Sequence, residues 1–210
     1  LRYAFSNRHM NIISRWLFRN IPPADEAEFL VRRAASSGYG VFINPDFRRL
    51  INFAKQSEEE QNRIFNELVV TGICLLDLIV ASKLNDVKHG RRHFWLDVRE
   101  KIPDAFCGWI NTLGMAGEFV DIWKKLIDLR VKEYLEGQNE TREVWTREFK
   151  NHPDREVLTE SAARVENITV GCMLHITRGK ASKAADDPLR RHLRAWIIQL
   201  NNRLYERVGW

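Results

Sequence analysis

SEEEQNRIFNELVVTGICLLDLIVASKL, Ser57–Leu84, decides the fold. Its first four residues make a capping box. The Ser57 hydroxyl is placed to accept from an otherwise unpaired N–H, and Glu60, three residues on, is placed to reach back. The pattern predicts a helix from 58 to about 84. From Leu68 to Ala81 the run LVVTGICLLDLIVA is apolar on nearly every side, which marks a helix enclosed by others. Its fourteen residues, with Asp77 near the end, fall short of a membrane span of about 20. The stretch reads as a core helix, and Asp77 inside it needs a hydrogen-bonding or cationic partner.

Upstream, Ala24 to Ala35 reads as a short helix with Asp25, Glu26 and Glu28 first and Arg32, Arg33 last, which complements the helix dipole. SSGYG, 36–40, reads as a turn. Asn44-Pro45 is an N-cap and first-residue pair opening a helix over 45–56. Downstream, helices are expected over 86–101, stopped before Pro103, and over 104–113. Another is expected over 118–136, with Phe119, Trp123, Leu126, Ile127, Val131 and Tyr134 as its apolar stripe and Gly137 as its C-terminal cap. Two more, 140–150 and 155–178, are divided by Asn151-His152-Pro153. Ile168-Thr169-Val170 admits a short strand within the second. RGKASKAADDP, 178–188, is a polar linker. Asp187 with Pro188 then starts a last helix whose Leu189, Leu193, Trp196, Ile197, Leu200 and Leu204 recur at helical spacing.

The expected fold is therefore all-α: a single-domain bundle of about eight to ten helices around the central apolar helix. Its organisation is expected to be a basic, aromatic arm over 1–23, a helical core over 24–178, and a linker with a basic amphipathic helix over 179–210. Composition agrees. The 210 residues are 44% hydrophobic and 29% charged, with only 11 Gly and 6 Pro, which excludes collagen-like and wholly disordered chains. Cys74, Cys107 and Cys172 are dispersed among apolar neighbours and form no C-x-x-C pair. They read as buried small hydrophobes, not as a disulfide framework or a zinc site. Leu1 in place of an initiating Met reads as a piece of a longer chain. The expected location is cytoplasmic, or membrane-associated should an N-terminal anchor precede it.

The most site-like cluster is Asp86, His89, His93, Asp97 and Glu100 in DVKHGRRHFWLDVRE. On one continuous helix these side chains fall within about 80° of arc, apart from Val87, Phe94, Val98 and Ile102. Two imidazoles one turn apart beside carboxylates are reasonable ligands for zinc or another first-row metal. A metal-dependent hydrolase on Asp86, His89, His93 and Asp97 is accordingly one expectation, although no His-Glu-x-x-His supplies the usual helical base. The competing reading is a solvated polar face. No nucleophile elbow or phosphate loop is present, and no bound cofactor is expected.

Charge is unevenly distributed. The 33 Lys+Arg and 28 Asp+Glu give a net +5. Residues 1–57 carry nine basic against four acidic groups, 58–150 fourteen against seventeen, and 151–210 ten against seven. Basic, aromatic ends thus flank an acidic-to-neutral middle, with Arg190, Arg191 and Arg194 on the last helix and Trp16 among the arginines of the first segment. The favoured reading is a helical protein-interaction or regulatory module whose contact residues are Trp16, Arg190, Arg191 and Arg194, binding a protein partner with an acidic surface. Nucleic acid, an anionic lipid surface and self-association are the alternatives.

Overall fold

The computed structural model describes residues 21–86, 89–114, 120–180, 184 and 186–208. Among these are eight α-helices: α1 (Pro23–Phe42), α2 (Pro45–Leu50), α3 (Glu58–Asp86), α4 (His89–Thr112), α5 (Val120–Glu136), α6 (Gln138–Glu148), α7 (Arg155–Ile176) and α8 (Pro188–Val208). A 3-10 turn, Phe53–Lys55, joins α2 to α3. The fold is an all-α, single-domain bundle about α3, which α1, α4, α5, α7 and α8 surround. By length and composition α3 could cross a membrane, yet 78% of its apolar window is buried inside the bundle. Every residue from Leu68 to Leu76 is buried. The basic last helix packs on α3 and α7 through Leu193, Ile197, Leu200 and Leu204.

Local signals placed three helix starts. Asn44 Oδ1 accepts from the N–H groups of Asp46 (2.9 Å) and Phe47 (3.1 Å). Ser57 Oγ accepts from the Glu60 N–H at 3.2 Å. Asp187 Oδ1 accepts from Leu189 (2.9 Å) and Arg190 (3.1 Å). Each satisfies donors that the first turn of a helix leaves open.

Four expectations fail, and the strand admitted at 168–170 does not form. SSGYG is not a turn, because α1 runs through it to Phe42. Gly38 sits where α1 crosses α3, and a Cβ there would stand 2.8 Å from the Leu68 carbonyl oxygen. Gly72 answers it from α3, where a Cβ would stand 2.8 Å from the Ala34 carbonyl oxygen. These glycines permit close backbone approach; they do not break the helix. The helix opened by Asn44 stops at Leu50, and Asn52 turns left-handed at φ 51° before the 3-10 turn. Pro103 lies inside α4, whose buried Ile102 and Phe106 hold it in the core on both sides of the missing N–H. Gly137 is no left-handed cap: at φ −77° it joins α5 to α6, pressed against the Asn167 amide. Ile168-Thr169-Val170 is helical, with the Thr169 hydroxyl donating to the Val165 carbonyl at 2.7 Å.

The crossing makes a sharp prediction about two glycines of one helix. Gly38→Ala drives a methyl into backbone and should cost about 1–3 kcal/mol in urea unfolding. Gly40→Ala has open space around its new methyl. It should raise stability by about 0.5 kcal/mol through the usual Gly-to-Ala gain in a helix.

Candidate functional site

Of the residues marked by the sequence, Asp86 ends α3 and His89 begins α4. His93, Asp97 and Glu100 lie exposed on the outer side of α4. Among the described residues, no group of three or more His, Cys, Asp or Glu side chains is arranged to hold a metal ion. Trp16 lies outside the described residues. Of the three arginines on α8, Arg190 turns inward to a hydrogen-bonded ion pair with Glu166 of α7. Arg194 Nε lies 3.2 Å from the same carboxylate. Of the three, only Arg191 is exposed.

Asp77 finds its cation in Arg99 of α4, a two-pronged pair at 2.8 and 2.9 Å. A longer chain of charge threads α3, α5 and α7. Arg130 holds both oxygens of Glu67 (3.1 and 2.8 Å) and donates to Glu133 Oε2 at 2.9 Å, and His175 Nε2 stands 3.0 Å from that same oxygen. Burial works against the Arg130 charge, but its bonds to Glu67 raise its pKa above the ordinary value. The imidazole of His175 is pushed the other way, below its usual value, by burial and then by the Arg130 charge. The main chain of the same end of α7 is capped by Arg63, which donates to the carbonyls of His175 (2.6 Å) and Ile176 (2.8 Å). Arg63 also binds Glu60, as does Arg178, and the hydrogen bond from Arg63 leads in holding the Glu60 carboxyl down at about 2. Beside this chain Thr71 and Tyr134 share a hydrogen bond of 3.3 Å. The thiols of Cys74 and Cys172 lie fully buried there, and burial pushes Cys172 up to about 12. With its charges satisfied, the chain reads as a tie between helices.

The exposed side of α1 is different. Phe29, Arg33, Ser36, Tyr39 and Ile43 follow one another at three- and four-residue spacing along one face. Phe29, Tyr39 and Ile43 remain 43%, 50% and 47% exposed. The guanidinium of Arg33 lies 5.7 Å from the Phe29 ring centre, and that of Arg207 on α8 lies 4.9 Å from it. Further along, Tyr39 meets Phe65 edge-on, and Phe42 and Phe53 carry Arg48 over their rings at 5.2 and 4.3 Å. A groove of about 410 Å³ between α1 and α4 runs beside this face, lined in part by Ala24, Glu28, Arg32, Lys101 and Trp109. Sequence reasoning ended the helix at Ala35 and so cut this stripe in two. The signal was present: with Ala34, Ala35 and Gly38 assigned inward, the aromatic and basic residues fall on one outer face.

Compared with known protein families, characterised proteins and solved structures, the chain matches none.

The charge chain sets a pH dependence. His175 has a lowered folded pKa, so the unfolded chain takes the proton first and stability falls as pH drops through about 6.5. Glu60 adds stability that is complete above its unfolded value of 4.5 and is lost as pH falls toward about 2. Chemical denaturation across pH 7 to 3 should show both windows. His175→Gln should flatten the upper one and Glu60→Gln the lower. Arg130→Met leaves Glu67 buried without its cation, and should cost about 3 kcal/mol at pH 7.

Proposed function

We propose that this chain is a helical protein-binding module that takes an acidic, apolar-bearing partner segment on the outer face of α1. One observation carries the reading. Two aromatic side chains of α1 and the isoleucine that caps it stand about half exposed in a single file, interleaved with arginine. Tyr and Arg are over-represented among residues that dominate binding energy, and aligned exposed apolar groups with a polar rim mark contact surfaces. Charge selects the partner. Arg32 is paired with Glu28, and Asp104 in the groove lining with Lys124, while among the described residues Arg33 and Lys101 have no carboxylate partner, so these two cations are left for an acidic partner. An amphipathic acidic helix supplies both requirements, with apolar anchors at i, i+3/i+4 and i+7 for the file and carboxylates for the rims. Because Glu166 holds Arg190 and Arg194, Arg191 is the arginine of that cluster left for a secondary contact.

The test uses a labelled acidic amphipathic helical peptide and its lysine-for-glutamate counterpart, read by fluorescence anisotropy and NMR shift mapping. The acidic peptide should bind saturably and more tightly at low salt, moving resonances of Phe29, Arg33 and Tyr39. Arg33→Glu with Tyr39→Ala should weaken it by about tenfold or more without changing the far-UV spectrum. Equal binding of the lysine peptide, shifts centred on Arg191, or stronger association with anionic vesicles or single-stranded RNA would overturn the assignment.

A further inference from the structure

Among the described residues, one buried cation has no bonded counterion. Arg164 of α7 is 4% exposed and donates from Nη1 only to the Leu78 carbonyl, at a long 3.4 Å, while its Nε has no partner. Asn201 Oδ1 on α8 is likewise buried and unpartnered. A guanidinium in such a place costs free energy unless a carboxylate joins it. Burial lowers the pKa of Arg164, and the charge of Glu160 is the first influence that opposes this. Glu160 stands four residues earlier on α7, in the favourable Glu-before-Arg order for an i,i+4 pair. Its carboxylate is engaged elsewhere: Arg142 of α6 binds Oε1 at 2.6 Å and Gln138 of α6 donates to Oε2 at 3.2 Å.

Little else holds α6 on its polar side. Thr141 donates to the Asn167 side chain at 3.0 Å, and Trp145 stacks on Phe149, just beyond the helix end. Most of the remaining helix faces solvent, with Val144 52% exposed, and α6 packs against α7 and, more lightly, α5. One carboxylate is thus within reach of two arginines, of which only one also carries a helix.

We infer that Glu160 is a shared latch: bound to Arg142 it docks α6 on α7, and when it turns to the buried Arg164 it releases α6. The docked state carries the cost of an unpaired buried guanidinium, and the released state removes that cost. The two arginines therefore compete, and Arg164 acts to loosen a helix that it does not touch.

Competition makes a prediction that a purely structural Arg164 would not. In amide hydrogen exchange, Arg164→Met should increase protection of residues 138–148 by about fivefold or more, the size expected for coupled sites. The same change in a Glu160→Gln background should have no effect there. Arg164→Gln, which keeps a donor in the buried position, should also increase protection. Unchanged or reduced protection of α6 in folded Arg164→Met or Arg164→Gln would overturn the latch. A second measurement leaves Arg164 intact. In Arg142→Gln, the Arg164 Nε–H resonance should move downfield and exchange more slowly as the carboxylate arrives, and an unmoved resonance would equally overturn it.

Discussion

The bundle depends on how closely two backbones approach. Where α1 crosses α3, Ala34 and Gly38 face Leu68 and Gly72, and there is no room for a Cβ at either glycine. This contact sets the distance from which other packing follows, because interiors are filled as densely as organic crystals. It also decides which residues α1 can bury. An inner face of Ala27, Ala34, Ala35 and Gly38, with Leu30 and Val31, is small enough to lie flat on α3 and α4. The bulky Phe29, Tyr39 and Ile43 are left to the outside. The same requirement that brings the backbones together therefore displays the file of aromatic and basic residues, and the candidate surface is a by-product of the core.

Arginine-carboxylate pairs provide the second ordering principle. Glu26 with Arg207 joins α1 to α8, Glu67 with Arg130 joins α3 to α5, Asp77 with Arg99 joins α3 to α4, and Glu166 with Arg190 joins α7 to α8. Such pairs add little net stability relative to apolar residues, but a mismatched register leaves a charge stranded, so they fix which helix lies where. They also alter the meaning of the net charge of +5. Arg190 and Arg207 belong to the basic C-terminal end in sequence, yet each pairs with a carboxylate inside the fold, while Arg194 lies against Glu166 and stays partly exposed. Part of that positive charge is directed inward.

Elements that rest on local chemistry were legible in the sequence. Asn44, Ser57 and Asp187 cap helices within three residues, and the all-round apolar run from Leu68 identified the central helix before any contact was known. What escaped depended on partners far along the chain. Gly38 and Gly137 are small because Leu68 and Asn167 press on them, and no local pattern separates that from a turn. Pro103 and Ile168-Thr169-Val170 stay helical because buried neighbours outweigh weak propensity. The setting of the α8 arginines likewise depends on a distant partner: Glu166, 24 residues upstream of Arg190, binds Arg190 and lies against Arg194. The α1 stripe was spelled out in full but hidden by one false helix end.

Cys74 and Cys172 lie beside the charged chain that binds α3, α5 and α7, and both are fully covered. Thiol reagents attack the thiolate, and burial keeps the Cys172 proton in place up to about pH 12. Alkylation at neutral pH therefore proceeds only in molecules whose junction has parted and let water in. The fold carries its own stopwatch: the rate at which these sulfurs are alkylated measures how often its centre comes apart, with no engineered label and no denaturant.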